Sequence, residues 1–124
     1  MKVIIDNSGD GQTVFYLKEK KVWIKEVSSW AKSLLACLEF VLKKHRRKIN
    51  DLSGVAVVVG VGRFTAERIA ATVANTLAFA LNIPVVALPK ANTVVADKKF
   101  LSARRGVYIS AKYSGEAHIG GKNK

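Results

Sequence analysis

Several residue types are scarce in this chain, and each shortage removes a class of protein. Cysteine occurs once, at Cys37, so no internal disulfide can form. On an apolar helix face that thiol reads as a buried core group rather than a nucleophile. The two histidines, His45 and His118, lie in different segments and cannot complete a zinc site with one cysteine. Ser8, Ser28, Ser29 and Ser33 show no Ser-His-Asp spacing and suit turns and caps. A Walker loop is missing, because no Lys-Ser/Thr pair follows the glycines. Low-complexity tracts and internal repeats are absent as well, and Met1-Lys2 leads straight into a strand with no signal peptide. A reducing cytoplasm is the expected compartment.

Acidic residues are also few. Nine Asp and Glu stand against 21 Lys and Arg, for a net charge of +12. Positive potential of this size draws anions, nucleic acid above all. Lys43, Lys44, Arg46, Arg47 and Lys48 fall together at a helix end, where they form either a solvated terminus complementing the helix dipole or an RNA contact. From Lys90 to Lys124, eight Lys or Arg face only Asp97 and Glu116, which supplies half the net charge. Arg104 and Arg105 are further candidates for RNA contact. Aromatic residues are not interleaved with these charges, so the composition implies salt-sensitive phosphate contact rather than base readout.

What is present is an α/β pattern in 124 residues, 49% of them hydrophobic, enough for one domain with its own core. Strands are expected at Lys2–Asp6, Thr13–Leu17, Lys21–Val27, Val55–Val59 and Val85–Leu88, the first three forming a meander. A helix capped by Ser28 or Ser29 should run to about Arg47, with Trp30, Leu34, Leu38 and Leu42 on one stripe. A second, capped by Thr65, should run from Ala66 to Leu81, ended by Asn82-Ile83-Pro84. Crossover handedness makes the fourth and fifth strands parallel to the first. Residues 90–99 read as a linker, Phe100–Ala103 with Val107–Tyr113 as a basic hairpin, and the remainder as a mobile tail.

The second helix carries no charge between Arg68 and Lys90. Ile69, Val73 and Leu77 suit a face laid on the sheet, which leaves Ala66, Ala70, Ala74 and Ala78 as a second small-residue stripe beside Phe79. A helix apolar on two faces buries both, either inside its own domain or against another protein. Thr72, Asn75, Thr76 and Asn82 interrupt the run, which argues against a membrane span.

Gly60-Val61-Gly62-Arg63-Phe64-Thr65-Ala66-Glu67-Arg68-Ile69, followed by Leu77-Ala78-Phe79-Ala80-Leu81-Asn82-Ile83-Pro84-Val85, resembles the TsaB (YeaZ) signature. That pattern is G-P-G-S-F-T-G-L-R-I-G and then an A-L-x-I-P stretch. Here Val61 replaces the proline, Arg63 the serine, and Ala66 and Ala70 glycines. Met1 to Ser8 resembles the family's I-D-T-S opening, and Ser102 to Ala111 resembles its D-A-R-R-G-E-V-Y segment. The resemblance implies a ribonuclease-H-like lobe of the actin and sugar-kinase type over residues 1–89. A linker and a remnant of the second lobe would follow over 90–124. It also implies a non-catalytic subunit, without cofactor, that pairs through its helices with a TsaD-like protein in threonylcarbamoyladenosine modification of tRNA. A TsaE-like ATPase would join that assembly.

Trp30, Leu34, Ala70, Ala74, Ala78 and Phe79 are then the candidate partner contacts, with self-pairing through the same helices as a variant. Two readings from other classes stay open. One is a free-standing RNA-binding module. The other is a residual nucleotide-binding enzyme using Asp6 and the Gly60–Gly62 turn, although Asp6 alone reads as a turn residue.

Overall fold

A computed structural model describes residues 1–9, 11–29, 33–60 and 64–110, the Phe64 side chain aside. Five strands form one sheet: β1 (Lys2–Asp6), β2 (Gln12–Glu19), β3 (Val22–Ser29), β4 (Gly54–Val58) and β5 (Val85–Leu88), in the order β3-β2-β1-β4-β5. The meander is antiparallel, while β4 runs parallel to β1 and β5 parallel to β4. The β2–β3 hairpin closes at Glu19 and Val22 through Lys20 and Lys21, at φ 49° and 72°. A two-residue loop with both φ values positive matches the twist of the strands it joins.

Three helices complete the lobe: α1 (Leu34–Lys44), α2 (Phe64–Leu81) and α3 (Thr93–Ser102). Alternation along the strands sends Val3, Ile5, Phe15, Leu17, Val55, Val57 and Val85 to one face, where α1 and α2 cover them. Ile4, Ala56, Val58 and Leu88 go to the other face, where Ala96 of α3 meets them. β4 is buried along its whole length, as its unbroken β-branched run requires.

Three expectations are corrected. β3 continues to Ser29, and α1 begins later, its cap being Ser33, whose side chain accepts the Ala36 N–H. Thr65 does not cap α2 but lies within its first turn. The stretch read as linker and first hairpin strand is helix α3, capped by the Asn92 side chain on the Val95 N–H. The lobe therefore continues past residue 89, because the second face of the sheet would otherwise stand bare. The expected second hairpin strand is not a strand over Val107–Ser110, and its last residues and the tail lie outside the described region.

Gly54 seats α3. A Cβ built there would lie 2.8 Å from Phe100 Cε1, a ring that also receives the Lys2 ammonium 5.7 Å from its centre. Gly54→Ala should destabilise the chain by about 1–3 kcal/mol through overpacking. The shift of the urea midpoint measures it, and Phe100→Leu in the same background should recover part of the loss.

Candidate protein-binding face

Helix α2 lies on the sheet by its small residues. Ala66, Ala70, Ala74 and Ala78 are buried, with Leu77 beside them. Alanine lets the helix axis approach the strands closely, and the valines of β4 and β5 fill the space that larger helix side chains would need. The two stripes are therefore exchanged relative to the sequence-based expectation. Ala70, Ala74 and Ala78 belong to the lobe's own core and are not surface contacts. Ile69 points outward, Val73 is half-buried against the core, and only Leu77 of that stripe is fully buried. Leu34 is likewise a core residue, packed with Cys37, Leu38, Val41 and Leu42 on the inner side of α1. Trp30 lies outside the described residues.

Both helices keep large apolar side chains at the surface, Leu35 and Phe40 on either flank of the buried stripe of α1 and Ile69 and Phe79 on the outer side of α2. Leu35 is 41% exposed, Phe40 58%, Ile69 48% and Phe79 76%. Thr65, Thr72, Thr76 and Ala80 add small, uncharged exposed surface on α2. Phe79 thus keeps the place that sequence reasoning gave it, on the helix surface.

A segment missed from sequence borders this face. After α3 the chain passes from one side of the sheet to the other and reaches α2 at Ile109. The Asn75 side chain fixes it there: its amide donates to the Ile109 carbonyl at 3.0 Å, and its oxygen accepts the Ile109 N–H at 2.9 Å. Two bonds to the N–H and C=O of one residue hold backbone as a neighbouring strand would. Tyr108 then stands against Phe79, ring centres 6.5 Å apart and inclined by 54°, a favourable aromatic geometry. The sequence signal for this contact was the lone asparagine in an otherwise apolar part of α2.

At the other end of α2 a buried polar knot joins four elements. Glu67 is 1% exposed and its Oε1 accepts the Gly60 N–H at 2.9 Å; Gly60 itself holds φ +85°. Asn7 donates to the Ala66 carbonyl at 2.9 Å, and the Thr13 hydroxyl donates to Asn7 Oδ1 at 2.6 Å. Asp6 Oδ1 accepts both the backbone N–H and the hydroxyl of Ser8, an Asx turn of the kind expected for it. Residues 61–63, the remainder of the glycine turn, lie outside the described region.

The basic cluster after α1 is divided by ion pairs. Glu26 receives Lys44 at 2.9 Å and His45 at 2.6 Å, and Glu19 receives Arg47 Nε at 3.0 Å. Lys43, Arg46 and Lys48 are exposed, as are Arg104 and Arg105. Hydrogen bonds from Lys44 and then His45 hold the Glu26 carboxyl below its ordinary range. Arg47 does the same for Glu19, and Lys18, with help from Trp23, for Asp97. Among the described residues no three His, Cys, Asp or Glu side chains come together as a metal site.

A family model described as TsaD, tRNA N6-adenosine threonylcarbamoyltransferase, matches residues 27–118. The tRNA threonylcarbamoyladenosine biosynthesis protein TsaB of Bacillus subtilis (strain 168) is 35% identical over 72 residues, covering 52% of this chain and 31% of that protein. Two solved structures from Pseudomonas aeruginosa superpose with a TM-score of 0.63 at 24% identity over 82% of this chain. One is YeaZ; the other is a protein with similarity to peptidase YeaZ. They share the mixed five-stranded α/β fold, and this chain spans 50% and 48% of their lengths respectively. The chain belongs to this family and is a TsaB (YeaZ)-like member of it.

The ion pairs set an acid limit on stability. A carboxyl whose folded pKa is depressed adds stability that is complete above its unfolded value, about 4.3 for Glu and 3.9 for Asp. That stability is lost as pH falls through the unfolded value towards the folded one. The thermal midpoint should therefore fall as pH drops below about 4.3, and Glu26→Gln should flatten part of that slope in a series of melts.

Proposed function

We propose that this chain is a non-catalytic, TsaB-like subunit acting in threonylcarbamoyladenosine modification of tRNA, and that it pairs with a TsaD-like protein through the outer sides of α1 and α2. The observation that carries this reading is the set of exposed apolar side chains, Leu35, Phe40, Ile69 and Phe79, on two helices whose inner sides are already buried. Clusters of large apolar side chains at a surface mark interaction sites, and the aromatic residues are the natural anchors. The family assignment supports this class of partner, since the curated relative is named for tRNA threonylcarbamoyladenosine biosynthesis and the matched model for the transferase.

The contact set is revised accordingly. Phe79, Ile69, Phe40 and Leu35 are proposed as the touching residues, with Tyr108 extending the surface beside Phe79. Ala70, Ala74 and Ala78 act indirectly, by setting how close α2 lies to the sheet. A TsaE-like ATPase and tRNA itself are further members of the proposed assembly, and a self-paired dimer would use the same face. Action in the cytoplasm is part of the same proposal; among the described residues no helix is long and apolar enough to cross a membrane.

Titration of the chain with the TsaD-like protein of the same source, read by calorimetry and by the mass of the complex, tests this. Phe79→Glu should weaken pairing by at least about thirtyfold, the scale of a lost hot spot, while circular dichroism and the melting temperature stay near wild type. Unchanged affinity in both Phe79→Glu and Phe40→Glu would show that another surface carries the contact. Ala74→Arg is the contrasting control, because it places a charge in the core and should unfold the chain.

A further inference from the structure

The β5 edge of the sheet has features that the helical face does not use. β5 is the last strand, and its neighbour β4 takes only every second residue. Val55 N–H bonds the Pro84 carbonyl at 3.1 Å and Val59 N–H bonds the Leu88 carbonyl at 2.9 Å. Strand alternation then turns the N–H and C=O of Val85 and Ala87 away from β4, towards an edge with which no described strand pairs. The bond from Lys99 Nζ to the Ala87 carbonyl, 2.7 Å, confirms that direction. The edge also has defined ends: the chain's two prolines, Pro84 and Pro89, flank β5, and proline has no N–H to offer a partner strand.

A groove of about 460 Å³ runs along this edge, between β5 and the segment that leaves α3. Val85, Val86, Ala87, Ala103 and Val107 give it an apolar lining, and among the described residues Lys99 and Arg104 supply its charges, both positive. Lys90, Lys98 and Arg105 lie close in sequence and are exposed. Asp97, the acidic residue of α3, is engaged on the other side of the helix by Lys18 at 2.6 Å.

We infer that the β5 edge is a docking slot for a short, extended, acidic peptide segment of another protein, which adds to the sheet as a sixth strand. Two residues with outward N–H and C=O groups fix such a segment by main-chain bonds, and the apolar lining accepts alternate side chains. Lys99 releases the Ala87 carbonyl to the incoming N–H and pairs with a carboxylate together with Arg104. Charge complementarity selects the occupant. The chain's own C-terminal stretch, residues 111–124, has Lys112, Lys122 and Lys124 against Glu116 alone, so it is repelled by the same cations. RNA would be drawn by the charge, but it cannot use alternating peptide donors and acceptors, and among the described residues no aromatic side chain lines the groove for bases to stack on.

The test uses the full chain, isotope-labelled for amide NMR, and a capped hexapeptide alternating Glu and Val. Binding should shift and protect the Val85 and Ala87 amides, weaken with added salt, and fall about tenfold in Arg104→Glu, as expected where a charge pair is replaced by repulsion. The same peptide N-methylated at every residue should lose binding, because neither of its edges can then donate. Equal binding of the N-methylated peptide would reduce the site to a charge effect and overturn the slot. So would stronger perturbation of the same amides by oligouridylate, which would make it an RNA site. Protection of these amides in the free chain, lost on truncation after Ser110, would mean that the chain fills the edge itself. None of these outcomes bears on pairing through α1 and α2.

Discussion

Strands β1 and β4 lie between two helical layers, and this double coverage dictates the arrangement around them. Ile4, Ala56 and Val58 face one way and Val3, Ile5, Val55 and Val57 the other, all of them buried. A pair of strands so apolar on both sides is stable only if helices close both faces. The helices α1 and α2 close one side. The other requires α3, held by Ala96 in the core, by Phe100 over Gly54, and by the Lys18–Asp97 pair that ties it to the meander. Coverage also explains where free surface remains: on the outer sides of the helices and along the two end strands.

The same logic separates what could be read from the sequence from what could not. The strand runs, the meander and the parallel placement of β4 and β5 follow from local residue type and crossover handedness, and they match the structure. α3 was not legible because its apolar and polar residues are equal in number and follow no clear helical stripe; Val94 and Leu101 are exposed, so the pattern of a linker and that of a lightly buried helix coincide. The orientation of α2 was misread for a different reason. Its Ile69–Val73–Leu77 and Ala70–Ala74–Ala78 stripes are neighbours on the helix, and side-chain size favours the first for burial. Packing distance favours the second, because a flat, valine-rich sheet accepts a close helix. Of the expected partner contacts, Phe79 alone among the described residues stays on the surface.

Charge shows a comparable redistribution. With nine acidic residues to 21 basic ones, three acids that pair with cations from other elements take up much of the available compensation. Glu19 and Glu26 fasten the end of α1 to the hairpin β2–β3, and Asp97 fastens α3 to β2. Such partly exposed pairs add little stability each, but they decide where positive potential is left. It is left at Lys43, Arg46 and Lys48 and, more strongly, around the end of α3, where among the described residues no acid pairs with Lys99, Arg104 or Arg105.

The knot at the start of α2 bears on chemistry. In open α/β sheets, ligands sit beyond the carboxyl ends of parallel strands, and anions sit at the helix N-terminus facing them. Here the end of β1 and the first turn of α2 meet at that place, joined by Asn7 to the Ala66 carbonyl. Glu67, in the first turn, lies buried there and accepts the Gly60 N–H. A carboxylate in the first turn complements the positive end of the helix dipole in the way a bound phosphate would. Among the described residues, Asn7, Thr13 and Glu67 fill this place with the chain's own side chains and tie β1, β2 and the turn after β4 to the start of α2.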